Sequence, residues 1–209
     1  MIYRIQGEID EKLQRIFDAA LNELNEFYGI NWIHNLPRLI VLDNRKMIDA
    51  LFGRKTEGWV IGWSEGRNIF VLDKGKFSEE SDHTRYTDEE YAMLIKHEMS
   101  HSFCLILAKG EIKPKWLWEG IAIYTSGQNT VRAKPIRFER FLEYFDEGGK
   151  DVYGEAGFAV ELLVLKYGKQ KMLDLIKACS GVETKNGFSS MFKDMFGFEP
   201  SYKEFDRLL

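Results

Sequence analysis

The chain has 209 residues, 44% of them apolar and 30% charged, with a formal net charge of −4 and a pI near 5.7. That composition excludes a disordered polymer and suits one sizeable core or two small lobes. No block of Lys and Arg supplies a nucleic-acid footprint, no run approaches the roughly 20 apolar residues of a membrane span, and two Cys make no disulfide framework.

The first stretch, Met1 to Asp10, reaches charge at once and lacks an apolar h-region, so no secretion signal is expected. With two free Cys this points to a reducing, cytoplasmic location. Residues 8 to 28 have helical periodicity, with Ile9, Leu13, Ile16, Phe17, Ala20, Leu24 and Phe27 on one side and a stop at Gly29. Pro37 to Asp43 is a short β-rich run, and Asn44 is placed to cap a helix through Leu51 that breaks at Gly53. Trp59 to Trp63 and Asn68 to Leu72 flank Ser64-Glu65-Gly66-Arg67, a hairpin signal. Residues 74 to 86 are polar and aperiodic, a loop of the length of a flap. His83 within it and His34 upstream read as solvated histidines with no assigned role.

Thr87-Asp88-Glu89-Glu90 is a capping box, and the helical apolar spacing that follows runs through Tyr91, Leu94, Ile95, Phe103, Leu105 and Ile106 to Ala108. Lys109-Gly110 supplies a cationic last turn and a glycine stop. Mid-helix lies His97-Glu98-Met99-Ser100-His101, an HExxH motif. Residues four apart stack on one helix face, so His97 and His101 can grip one metal ion, whereas Glu98 leaves the helix about 100° round and can reach a water on that metal as general base. Cys104 shares the histidine face, but two His and a Cys on a single helix strain the coordination geometry, and a buried free thiol behaves as a small hydrophobe.

A catalytic zinc usually takes three protein ligands and keeps a fourth position for water. The third is sought in Trp116 to Tyr124, a helical stretch entered through Pro114, whose single acid is Glu119. An ionised carboxylate among Trp and Ile is costly unless a cation compensates it; the alternative is a solvated face of an amphipathic helix. Beyond it, Ile136 to Phe145 and residues 154–167, 169–179, 188–196 and 201–209 carry helical spacing, punctuated by Gly148-Gly149, Gly168, Gly181, Gly187 and Pro200.

HExxH followed, with seventeen residues intervening after His101, by the Glu of Trp-x-x-Glu-Gly-x-Ala-x-Tyr resembles the gluzincin group of zinc metallopeptidases, to which thermolysin and the zinc aminopeptidases belong. The resemblance covers residues 87 to 127 and extends weakly to 153–176. It implies a zincin-like fold, Zn2+ held by His97, His101 and Glu119, and Tyr153 as the tyrosine that donates a hydrogen bond to the tetrahedral intermediate; the other reading of Tyr153 is an aromatic packed at a helix start. Tyr124 is the fallback donor. The resemblance also implies that Asn68 to Leu72, or its hairpin partner, is an edge strand on which an extended peptide is laid.

Departures narrow the match. A metzincin would continue HExxHxxGxxH, but positions 104 and 107 are Cys and Leu. Thermolysin-like sequences place an Asp four residues after the ligand Glu to orient a ligand His, and here that residue is Ile123. The Gly-x-Met-Glu-Asn element of the zinc aminopeptidases is absent, which argues against amino-terminal exopeptidase activity.

The expectation is thus an α+β protein: an N-terminal lobe to residue 86 with a mainly antiparallel sheet, then a mostly helical lobe from 87 to 209, the HExxH helix at the junction, together one minimal catalytic domain. Its expected activity is zinc-dependent hydrolysis of a peptide or protein substrate. The alternatives are an inactive or latent metal-binding scaffold, favoured by Ile123 and opposed by the intact Glu98, and a zinc hydrolase of a non-peptide amide or ester.

Overall fold

A computed structural model describes residues 10–83 and 85–209. The expected helix start at residues 8 and 9, the contribution of Ile9 to its apolar face, the reading of the first nine residues as no secretion signal, and Thr84 of the polar loop lie outside the described residues.

Helix α1 (Glu11–Tyr28) starts where the Asp10 carboxylate accepts the backbone N–H groups of Lys12 and Leu13 at 2.9 and 3.0 Å, and it stops at Gly29, whose φ of 64° is left-handed. It buries Phe17, Ala20, Leu24 and Tyr28, the stripe that the periodicity marks out. Strand β1 (Arg38–Leu42) leads into helix α2 (Arg45–Phe52), capped as expected by Asn44, whose side-chain oxygen accepts from Met47 N at 3.2 Å.

Strands β2 (Gly62–Glu65) and β3 (Asn68–Leu72) form the hairpin, turning on Gly66-Arg67. The sheet order is β1-β3-β2, with β3 parallel to β1 and antiparallel to β2, so the sheet is mixed rather than mainly antiparallel. A hairpin signal specifies its own pair; the parallel pairing arises from the α2 crossover, which no local pattern encodes. β2 also begins later than Trp59. The Arg45 guanidinium donates to Thr56 Oγ1 and to the carbonyls of Glu57 and Gly58 at 3.0–3.1 Å, which holds that stretch in a turn. Within the polar loop, a single helical turn, α3 (Phe77–Glu80), buries Phe77.

Helix α4 (Asp88–Ala108) is the axis of the molecule. Its capping box is complete: Thr87 Oγ1 accepts Glu90 N at 3.0 Å and the Glu90 carboxylate accepts Thr87 N at 2.7 Å. From Met99 to Cys104 every residue is buried, because α1, the sheet and helix α5 (Lys115–Ser126) surround the helix. It ends on Lys109 itself in the left-handed conformation, with Gly110 N bonding back to Leu105 O at 3.0 Å.

Ile136 to Phe145 is not a helix. Only Phe141–Glu143 makes a 3-10 turn, and Ile136 is 97% exposed. The N–H groups that a helix would use are taken by distant carboxylates. Glu155 accepts from Glu139, Arg140 and Phe141, and Asp206 accepts from Phe138 at 2.7 Å. The apolar residues of the strap, Phe138 and Phe141, instead join an aromatic cluster with Trp116 and Phe205 in which ring centroids lie 5.0 to 6.0 Å apart. Such pairs each contribute about 1 kcal/mol beyond simple burial, and tertiary packing overrides the helical spacing.

Helices α6 (Ala156–Tyr167), α7 (Lys169–Ala178), α8 (Lys185–Phe196) and α9 (Tyr202–Asp206) complete the chain near the predicted positions, α8 starting three residues early under the Thr184 cap. The architecture is a small mixed-sheet lobe followed by a mostly helical one, with the HExxH motif on an early helix of the latter. Among the described residues no helix is long and apolar enough to cross a membrane.

Candidate metal centre

His97 and His101 stand one turn apart on α4, their ring centroids 4.8 Å apart, and both direct Nε2 at the Glu119 carboxylate presented by α5. The Nε2 to Oε2 distances are 3.3 Å for His97 and 3.7 Å for His101, and one donor atom from each of the three residues lies within 4.8 Å of the others. The 3.3 Å contact lacks hydrogen-bond geometry, so Glu119 Oε2 is buried without a partner. Two imidazole nitrogens and a carboxylate oxygen aimed at one point, unbonded to each other, are the donor set of a borderline-soft divalent cation. The residues fit a metal ion.

The supports of this arrangement run underneath it. Tyr28 Oη of α1 and Ser100 Oγ of α4 share a hydrogen bond of 2.8 Å, Ser100 Oγ shares another of 2.8 Å with Thr125 Oγ1 of α5, and Thr125 bonds on to Ile121 O at 2.8 Å. These polar links fix the two ligand-bearing helices in register. Beside them the His101 ring stacks on Trp118, with centroids 4.7 Å apart and planes 7° from parallel. Each imidazole keeps a buried Nδ1 without an acceptor among the described residues. Ile123, where thermolysin-like sequences have Asp, is fully buried and apolar, so it provides none.

Burial and mutual charge shift the ionisable groups of the cluster. Burial, reinforced by Glu119 and opposed by His97, pushes the Glu98 carboxyl up to about 7. Burial drives His101 down to about 3 against the pull of Glu119. Burial also works against a charge on His97, but Glu119 and Glu98 outweigh it and raise its pKa; Glu119 stays low because the two imidazoles offset its burial. Two carboxylates and two imidazoles at this depth are costly to ionise unless a cation compensates them.

The centre opens onto a cavity of about 250 Å³ whose walls include Trp59, Gly62, Leu94, His97, Glu98 and Tyr153. A larger and more open depression, about 630 Å³ beside Asp43, Arg45 and Glu80, carries no such cluster. Gly62 is where β2 comes closest to the motif: a Cβ there would lie 3.4 Å from Glu98 Cγ and 3.2 Å from Leu94 Cδ1. Leu72 N donates to Ile61 O at 2.8 Å, so by the antiparallel alternation Gly62 and Ser64 turn their N–H and C=O groups away from β3. β2, the hairpin partner, is therefore the edge strand flanking the cavity, and β3 is central.

Tyr153 sits in the turn Lys150–Gly154 before α6, its ring 6.3 Å from that of His97. Burial, together with the nearby Glu119 and Glu98 carboxylates, holds its hydroxyl protonated far above the ordinary range. Tyr124 packs edge-on against Phe27 at 6.0 Å and does not line the cavity. The five residues singled out from the sequence, His97, Glu98, His101, Glu119 and Tyr153, thus converge. His83, expected to be a solvated loop histidine, is instead half-buried in the cavity wall, which also includes Arg132, Gln128 and Tyr86, residues that nothing in the sequence singled out. Arg132 donates to Tyr153 O at 2.8 Å and to Gln128 Oε1 at 3.3 Å, contacts that no spacing rule reveals. The small residue Gly62 inside a β-rich run was a readable sign of close approach.

No protein-family model, curated protein or solved structure matches this chain. Its reading rests on the geometry of the site.

Proposed function

We propose that the chain is a zinc-dependent hydrolase that cleaves peptide bonds, a single catalytic domain with His97, His101 and Glu119 as metal ligands. The observation that carries the reading is that His97, Glu98 and Tyr153 line one cavity bordered by a strand edge, with His101 and Glu119 completing the donor cluster beside His97. Zinc, when bound, supplies a Lewis acid that lowers the pKa of water towards ~7 and polarises a carbonyl.

The remaining work falls to the chain's own residues. Glu98, whose carboxyl is buried beside Gly62 and the ligand helix, takes the proton of the attacking water and returns it to the leaving amine. Tyr153, kept protonated, donates its O–H to the oxyanion, a contribution typically of about 3 kcal/mol. The outward N–H and C=O groups of Gly62 and Ser64 hold the substrate main chain as an added strand, a mode that tolerates many side chains.

A scaffold that holds metal without turnover is the second reading, favoured by the unpartnered Nδ1 atoms and by Ile123, since ligating imidazoles normally donate their second N–H to an acceptor. Digestion of a peptide library by the zinc-loaded protein separates the two. Cleavage that is lost in Glu98→Gln while zinc is retained supports the hydrolase; zinc retention with no cleavage by the native chain supports the scaffold.

A further inference from the structure

The cavity wall also carries two cations, Arg132 and Lys150. Arg132 follows α5, in the chain that leads to the strap, and its guanidinium is largely buried between Tyr153, Gln128 and Tyr86. Both its hydrogen bonds go to neutral acceptors, Tyr153 O and Gln128 Oε1; its Nε–H is buried with no partner. Among the described residues no carboxylate lies within 4.0 Å of it. Lys150 stands exposed at the same cavity, and it too has no carboxylate within that distance among the described residues. A second cavity, of about 170 Å³, shares Arg132 with the first; its one carboxylate, Glu90, accepts Thr87 N in the capping box of α4 and makes no ion pair with Arg132.

A largely buried cation without a carboxylate partner is costly to keep; the Tyr153 ring, whose centroid is 6.0 Å from the guanidinium carbon, offsets part of that cost, and a ligand carboxylate would offset the rest. The one carboxylate in the wall of the larger cavity, Glu98, belongs to the metal end of the site. The planar fork of an arginine suits a carboxylate in particular, because two N–H groups can meet two oxygens. We infer that Arg132, assisted by Lys150, forms a specificity pocket for a carboxylate of the substrate, either an Asp or Glu side chain near the scissile bond or a free C-terminus. The inference rests on the peptide-hydrolase reading for the nature of the ligand, and it deepens that reading by naming what the substrate carries.

The test is peptide binding to the metal-free protein, measured by calorimetry, so that neither hydrolysis nor ligation of a metal by the peptide contributes. One pair of acetylated, amidated peptides differs only by Glu against Gln; a second pair differs only by a C-terminal acid against an amide. The expected result is tighter binding of the acid in at least one pair, by about 10-fold, the worth of one charge-assisted contact. Which pair responds distinguishes the side chain from the terminus. The preference disappears in Arg132→Gln, with folding checked by thermal melting, and falls partway in Lys150→Gln, an exposed position whose replacement leaves the core untouched. Equal binding within both pairs, no binding of any peptide, or a full preference surviving in both variants overturns the inference. Cleavage by the zinc-loaded protein without an acid preference would leave the hydrolase reading standing and sink this one; an acid preference in a protein that cleaves nothing would do the reverse.

Discussion

Replacing Gly120 by Ala puts a methyl group into the closest approach between α5 and α6. A Cβ there would stand 2.6 Å from Ala156 O and 2.9 Å from Val160 Cγ2, and ordinary contact begins near 3.4 Å, so the backbone contact is about 0.8 Å too short. The obstacle includes a carbonyl fixed at the start of a helix, so a rotamer change cannot relieve it. Overpacking of this kind costs about 1–3 kcal/mol, and the better helix propensity of Ala returns about 1 kcal/mol, which leaves a net loss on the order of 1 kcal/mol. For a chain of this size that lowers Tm by about 2–4 °C. The proposed activity should suffer far more, because the turn carrying Tyr153, the proposed oxyanion donor, leads straight into the displaced helix. A shift of about 1 Å in a catalytic group typically costs on the order of 100-fold. The assay pairs thermal melting with kcat on a cleavable peptide. A variant that melts higher than the native chain and keeps its kcat would refute the packing argument.

Two further predictions concern the frame around the site. Asp88, in the first turn of α4, is held at about 2 by its hydrogen bonds and ion pairs with Lys12 and Lys74. Its folded pKa lies below the unfolded value, so its contribution is present above about 4 and is lost as the pH falls towards about 2; Asp88→Asn should flatten this acid limb in denaturant titrations, and an unchanged limb would contradict the pairing. Glu155→Ala removes the acceptor of the Glu139, Arg140 and Phe141 amides. It should cost on the order of 2 kcal/mol, lower Tm by about 4–8 °C and speed hydrogen exchange at those amides, and an unaltered exchange pattern would show that the strap holds without it.

The parts of the molecule legible in the sequence are those written in local chemistry. The capping box of α4, the Asn44 cap of α2 and the stripe of α1 depend on residues within a few positions of one another. The HExxH spacing puts His97 and His101 on one face by helix geometry alone, and Glu119 stood out because a lone acid among Trp and Ile needs a reason. What could not be read depends on partners far along the chain. The strap at 136–145 has helical spacing, yet Glu155 and Asp206 take its amides and the Trp116 cluster takes its rings. The parallel pairing of β1 with β3 depends on the connection through α2 and β2, which no local pattern encodes. Arg132 lies in a stretch without periodicity, and its charge gains meaning only beside Tyr153 and Gln128.

The central claim is that one ion is gripped by His97, His101 and Glu119, and locating it tests that claim most directly. Crystals of the zinc-loaded protein, read by anomalous scattering at the zinc edge, should show one ion about 2.0–2.2 Å from a nitrogen of each histidine and an oxygen of Glu119. The same experiment on Glu98→Gln should show the ion unmoved. An ion held elsewhere, or no ion in protein prepared with equimolar zinc, would contradict the account.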